Sequence, residues 1–321
     1  MAVGIGRTPP PVRAARRRWS AELKESNVSL DVETQAYVTG ETLEAPNSIG
    51  TEPPRTRVPL GAVDAHHHIY DPRFLETDGT VRPVGTVAQY SLLKRRLGIT
   101  RSVVVAPNSY NRDNDCLVDA LGQLGDDARG VAIVQPDVTD AELRALHGLG
   151  VRGIRLYFGK NVWTAEQTGA VAGRLADMGW HIEYQPGHAD RVAEAEEMLN
   201  ALPCRVVLDH FAYIPQPEGF AHPSAAAVFR LLENGRTYVK LSGNYFTSEE
   251  GFPDYSDLND VGRRFVAARP DRMLWGTDWP HTRKVYPDDA RLFDQVSVWA
   301  PREEDRLRVL VENPDELYWY S

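Results

Sequence analysis

The chain has little cysteine: Cys116 and Cys204 are the two thiols among 321 residues. They supply neither a disulfide framework nor a CxxC pair for zinc or redox work, and they fit a reducing cytoplasm. Long apolar runs are missing too, none approaching the ~18 residues that a membrane-spanning helix needs. A bilayer is therefore not the expected partner. Positive charge is scarce beside negative, 36 Lys and Arg against 45 Asp and Glu for a net −9, which argues against a broad nucleic-acid surface. What is present is ordinary globular material, 42% hydrophobic and 25% charged, enough for a folded core and incompatible with global disorder.

Residues 1–58 read as a mostly irregular N-terminal arm and residues 59–321 as a single barrel domain. Pro9 to Pro11, the basic stretch from Arg13 to Arg18 and a polar run ending in Pro53 and Pro54 show no apolar periodicity. Arg16-Arg17-Arg18 would suit a twin-arginine export signal, but Glu22 to Asp31 follow where such a signal needs an apolar segment, so the cluster reads as a solvated basic patch. Few buried contacts are expected from the arm, and a chain starting near Arg55 is expected to keep the barrel.

From Pro59 onward, short apolar runs alternate with amphipathic stretches. The runs begin near Val63, Arg101, Gly130, Val151, Trp180, Arg205, Tyr238 and Arg272, eight in all, each continuously apolar like a parallel strand covered on both faces. Between them apolar residues recur at the helical period, as at Val192, Ala195, Leu199 and Leu202, or at Leu143, Leu146 and Leu149. Eight right-handed βα units close into a (β/α)8 TIM barrel, the expected α/β fold. A doubly wound open sheet would want a phosphate-binding glycine loop after its first strand, where this chain has Asp64-Ala65-His66-His67-His68.

Active sites of such barrels sit at the C-terminal ends of the strands, and here those ends are polar. Strand one ends in His66-His67-His68, strand four in Arg155 with Tyr157, strand five in Glu183-Tyr184-Gln185, strand six in Asp209-His210, strand seven in Ser242-Gly243-Asn244 and strand eight in Asp278-Trp279-Pro280-His281. Alternate residues share a face, so His66 and His68 point inward together while His67 meets the helix layer. With His210 and Asp278 they form the candidate centre. His147 on a polar helix side, His181 near a strand start and His222 in a proline-flanked loop are read as structural.

Val63-Asp64-Ala65-His66-His67-His68-Ile69-Tyr70-Asp71-Pro72, Asp209-His210-Phe211 and Trp275-Gly276-Thr277-Asp278-Trp279-Pro280-His281 resemble the amidohydrolase superfamily, in particular the branch of pyrone-dicarboxylate lactonases and sugar-lactone hydrolases. The resemblance runs from about Val58 to Ser321. Binuclear members of the superfamily place a carboxylated lysine or a glutamate on strand four and a histidine at the end of strand five; this chain has Arg155-Leu156-Tyr157-Phe158 and Tyr184-Gln185 there, so the second metal's ligands are missing. His66, His68, His210 and Asp278 would suit one zinc, yet the lactonase branch has members that work without metal, and no cofactor is the expectation. The resemblance implies a small-molecule lactone or carboxylate substrate, a place in carbohydrate or aromatic catabolism, and no nucleic-acid or membrane partner. Self-association into a homo-oligomer is left open.

Opening a lactone requires a base for water and donors for the developing oxyanion. The expected base is Asp278, with His66, His68 and His210 polarising the carbonyl or the leaving oxygen. Arg155 matches a carboxylate-binding arginine of the branch, its alternative being an ion pair with Glu183. Ser109 and Asn108 after strand two, Tyr184, Lys160, Asn244 and His281 complete the expected substrate contacts, His281 having loop ordering as its alternative role. Without an obvious further cation in Gly159-Lys160-Asn161 or Asn244-Tyr245, a mono-acidic or neutral lactone is as good a candidate as a dicarboxylate. Two rivals remain: a zinc-dependent hydrolase or decarboxylase built on the same four residues, and a noncatalytic ligand-binding barrel.

Overall fold

The computed structural model describes residues 37–77, 79, 82–157, 163–282 and 286–320. Lys160 lies outside the described residues. Eight strands, β1 (Val63–His67), β2 (Arg101–Val105), β3 (Ala128–Ala132), β4 (Val151–Tyr157), β5 (His181–Gln185), β6 (Arg205–Leu208), β7 (Thr237–Leu241) and β8 (Met273–Trp275), start within two residues of their expected positions. A helix follows each: α1 (Val87–Leu97), α2 (Asp115–Leu124), α3 (Asp140–Gly148), α4 (Ala165–Asp177), α5 (Asp190–Ala201), α6 (Ser224–Glu233), α7 (Asn259–Ala268) and α8 (Asp289–Trp299). Thr86, Thr139 and Thr164 open α1, α3 and α4 with reciprocal bonds to Gln89, Glu142 and Gln167, a sequence-encoded start worth about 1 kcal/mol for each cap. None of the described helices is long and apolar enough to cross a membrane.

All neighbouring strands pair in parallel and in chain order, β1 through β8. The ring closes where His68 N donates to Trp279 O and Asp278 N to His66 O, both at 2.8 Å. That approach needs glycine at 276, since a Cβ there would fall 2.6 Å from His66 Cβ. The closure is reinforced by the buried Asp64 carboxylate, whose Oδ1 accepts from His66 N (3.1 Å) and Thr277 N (3.0 Å) and whose Oδ2 accepts from Thr277 Oγ1 (2.7 Å) and Tyr90 OH (2.9 Å). Burial pushes its carboxyl up to about 6 against the lowering effect of those bonds.

Strand β1 changes phase on the way to the mouth, because its ladder with β2 shifts register between Asp64 and His67. Below the shift Val63 and Ala65 pack inside the barrel with Val103, Val105, Val131, Val207 and Leu274, while Asp64 reaches Tyr90 in the helix layer. Above it His66 and His68 turn inward, and His67 stacks on Tyr90 with ring centroids 3.6 Å apart. A bulge of this kind re-aims side chains at a barrel rim. At the opposite end Leu317 and Tyr318 join the inner core, Tyr318 meeting His181 edge to face.

Residues 37–57 contain no long regular element, but they make several buried contacts where few were expected. Tyr37–Val38 pairs with Val58–Pro59. The guanidinium of Arg96, fully buried on α1, donates to Gly50 O and to Ser48 Oγ, each at 2.5 Å, and the Trp279 indole donates to Pro46 O at 2.8 Å. The reason is local: two backbone carbonyls and one serine hydroxyl of an irregular strap satisfy buried donors of the barrel. A chain beginning at Arg55 loses these three bonds, each worth about 1 kcal/mol, and we expect its urea midpoint to fall correspondingly; equal stability to the full chain would show that the strap contributes nothing.

Candidate functional site

The inward residues above the apolar core form two layers. In the lower one, Arg155 of β4, Glu183 of β5, Asp209 just past β6 and Lys240 of β7 are all buried, the most exposed at 3%. Each stands two places beyond an inward core position, as Lys240 follows Tyr238 and Asp209 follows Val207. Arg155 donates to Asp209 Oδ2 from Nε (3.1 Å) and Nη2 (2.7 Å), and its Nε is 3.4 Å from Glu183 Oε1. Lys240 Nζ donates to Glu183 Oε2 and lies 3.1 Å from His66 Nδ1. Burial and the charge of Asp209 together push the Glu183 carboxyl up to about 7 against Lys240 and Arg155. Asp209 goes the other way: burial opposes its charge, but the Arg155 guanidinium holds it well below the usual carboxylate range.

The upper layer brings together the four residues expected at the centre. Asp278 Oδ1 is 3.4 Å from Nε2 of His66 and 3.4 Å from Nε2 of His68. The His210 ring lies 4.8 Å from that of His66, stacks on Phe246 and places Nδ1 3.1 Å from Ser242 Oγ. Burial would raise the Asp278 carboxyl, but the surrounding imidazoles, His210 foremost, reverse that and hold it far down, in the ionised form. Burial lowers His66 and His210 toward neutral imidazole. Nδ1 of His68 is 2.7 Å from Val105 O; a carbonyl only accepts, so Nδ1 carries a proton and donates it.

A third partner of Asp278 escaped the sequence. The Tyr245 hydroxyl donates to Asp278 Oδ2 and lies 3.4 Å from His281 Nδ1, while His281 Nε2 is 3.2 Å from both oxygens of Asp289, the first residue of α8. These contacts, and its full burial, are what the loop-ordering alternative for His281 calls for. Asp278 itself sits at φ +61, a left-handed conformation that Asp tolerates better than most residues.

Past β6 the chain makes a turn of left-handed helix, with φ of 51, 54, 52 and 56 at His210, Phe211, Ala212 and Tyr213. Each such residue costs roughly 1–2 kcal/mol. Tertiary packing holds the turn: Phe211 meets Trp299 edge to face, and Tyr213 OH accepts from Gln185 Nε2 at 2.6 Å.

Several expected substrate contacts lie elsewhere. Tyr184 points to the helix layer, where its hydroxyl reaches Arg191 O at 3.3 Å; Glu183 is the inward neighbour, and alternation sends the next side chain outward. Gln185 is the strand-five residue in phase with Glu183. Asn244 is buried, its amide donating to Gln295 Oε1 at 2.6 Å. Asn108 and Ser109 lie in a short 3₁₀ turn after β2, with Ser109 Oγ buried and without a hydrogen-bond partner among the described residues.

Arg155, the expected carboxylate anchor, spends its guanidinium inside the protein on Asp209, Glu183 and, at 2.5 Å, Tyr157 OH. The ion-pair alternative describes its position, with Asp209 as the principal partner. Arg155→Met would leave buried carboxylates uncompensated, and we expect a loss of about 3–5 kcal/mol in unfolding free energy with acidic and neutral substrates affected alike. A variant of native stability that fails only on acidic substrates would restore the anchor.

The Nε2 and carboxylate atoms of His66, His68 and Asp278 lie within 4.8 Å of one another, a set able to hold one divalent ion; His66, Asp209 and His210 form another such group. In the first group His66 could ligate only with its Nε2 bare, a condition its Nδ1 neighbours govern.

The Amidohydrolase family model matches residues 63–319. A 2-pyrone-4,6-dicarboxylate hydrolase of Comamonas testosteroni is 35% identical over 283 residues, covering 83% of this chain and 92% of the relative. A D-galactarolactone isomerase of Agrobacterium fabrum is 30% identical over 280 residues, covering 84% and 94%. An apo crystal structure from Agrobacterium tumefaciens superposes with a TM-score of 0.74 at 31% identity, covering 86% of this chain and 99% of its own. With its strand-one histidines, strand-six histidine and strand-eight aspartate gathered at one mouth and the family model spanning the barrel, the chain belongs to the amidohydrolase family.

Proposed function

We propose that the protein hydrolyses a small lactone, with Asp278 as the base and the surrounding imidazoles as the groups that receive the developing charge. The observation that carries this reading is Asp278 Oδ1 at 3.4 Å from both His66 Nε2 and His68 Nε2. Tyr245 occupies Oδ2, so Oδ1 is the oxygen left to orient water and take its proton. As water adds to the ester carbon, the carbonyl oxygen becomes an oxyanion, and a donor beside it in a dry pocket is worth roughly 3 kcal/mol in the barrier. His66 and His210 border that space; as the carbonyl re-forms, the ring C–O bond breaks and the leaving oxygen takes the proton that Asp278 received from water, giving a hydroxy acid with the Asp278 carboxylate restored.

The hydrolase and isomerase relatives both act on lactones by name, which supports the substrate class. A dicarboxylate is not favoured, because Arg155 is engaged within the barrel. Tyr157, Gln185 and Ser109 instead offer neutral polar atoms near the mouth, suiting a hydroxylated or singly charged ring. No metal is needed in this reading, the substrate being an activated ester and the donors already present. In the competing reading His66, His68 and Asp278 hold one zinc, with His210 beside them, and the ion would polarise the carbonyl.

A panel of pyrones, muconolactones and sugar lactones, followed by pH indicator and by proton NMR of the products, tests the proposal: ring opening releases acid, whereas rearrangement of one lactone to another does not. Asp278→Asn should cut kcat by ~10² or more with the fold intact, and near-full turnover would end the assignment of the base. Chelator treatment should leave the rate unchanged, with far less than one zinc per chain by elemental analysis; stoichiometric zinc whose removal abolishes turnover would establish the competing reading.

A further inference from the structure

We propose that Lys240 fixes the ring proton of His66 on Nε2, making this imidazole a hydrogen-bond donor at the reaction centre and denying it to a metal. Lys240 projects inward from β7 and is fully buried. Its Nζ donates to Glu183 Oε2 and has His66 Nδ1 at 3.1 Å as a further partner. An ammonium offers N–H groups and no lone pair, so Nδ1 must accept. A neutral imidazole has one bare nitrogen and one N–H; with Nδ1 accepting, the proton resides on Nε2, which faces Asp278 Oδ1.

Other groups press for the reverse arrangement. Asp209 Oδ1 and Glu183 Oε1 stand 3.4 and 3.5 Å from Nδ1, and Arg155 Nη2 stands 3.5 Å from Nε2. Lysine is the nearest of the four. The facing oxygens, Asp209 Oδ1 and Glu183 Oε1, have no hydrogen-bond partner among the described residues, their other oxygens being bound to Arg155 and Lys240; the closer approach of Lys240 is what decides between the two arrangements. The Nδ1 proton of His68 is directed away from the carboxylate, to Val105 O, whereas the His66 proton faces Asp278 Oδ1 through Nε2. Lys240 is a positioning residue in this scheme, and the scheme rests on the lactone-site reading of His66.

The test does not depend on turnover. Long-range 1H–15N correlation spectra of 15N-histidine-labelled protein report the tautomer of each of the nine histidines, with His66→Gln assigning the signal. Lys240→Met alone strands Glu183, so the companion variant is Lys240→Met with Glu183→Gln, which keeps the buried charge balanced. We expect His66 in the Nε2–H form in the native protein and in the Nδ1–H form, donating to Asp209, in the double variant. Calorimetric titration with zinc should show no stoichiometric binding to the native protein and one site in the double variant. On the best lactone, kcat should fall on the order of 10²-fold with little change in KM, as for loss of one oxyanion donor. An Nδ1–H signal for native His66, or an unchanged tautomer in the double variant, overturns the proposal whatever the activity. Inactivity on every lactone, with the tautomers as expected, would overturn the lactonase reading and leave the role of Lys240 standing.

Discussion

The carboxylate of Asp64 is the constraint on which the rest of the structure depends. It accepts four hydrogen bonds from three directions: the strand that carries the histidines, the segment that carries Asp278, and the first helix of the outer layer. A buried carboxylate survives only when so satisfied, and satisfying it requires Thr277 to lie beside His66. The seam between the first and last strands is where a barrel must be held shut. Here the same seam brings Asp278 within reach of both imidazoles, so closing the fold and assembling the cluster are one event.

Beneath the mouth, charge has replaced hydrocarbon. Arg155, Glu183, Asp209 and Lys240 fill the level where Val103, Val131 and Val207 would otherwise continue upward. Buried ion pairs of this kind rarely add stability over an apolar core; what they provide is orientation. Asp278 has a comparable support on its other side, where Tyr245, His281 and Asp289 connect it to the start of α8. Asp278 is thereby positioned from within the barrel and from the helix layer.

Much of this was legible in the residue order. The continuous apolar runs placed the strands, and the polar residues ending them placed His66, His68, His210 and Asp278. The family model and a solved structure with a TM-score of 0.74 agree with the barrel. What escaped depends on register between strands. Alternation alone makes Glu183 or Tyr184 inward but does not say which, and Tyr184 proved to be the outward one. The phase change in β1 is likewise invisible, because Val63, Ala65, His66 and His68 all face inward and no single period generates that pattern. Lys240 was readable in principle, as a lysine two places after an inward Tyr238, but its partners come from three other strands. Tyr245 lies in a short 3₁₀ turn, where no period aims a side chain.

The left-handed turn from His210 to Tyr213 bears on how this mouth can change over evolutionary time. A β-branched side chain is a genuine outlier at positive φ, whereas Gly, Asn and Asp visit that region at smaller cost. Drift at Phe211 and Ala212 is therefore filtered twice, by the volume beside Trp299 and by the backbone angle, and valine, isoleucine and threonine fail the second filter even where they would pass the first. Side-chain variation at this mouth is freer at positions with ordinary backbone, such as Tyr157 and Gln185 at the strand ends. The histidine is carried on a segment that resists rewriting while its surroundings remain free to diverge.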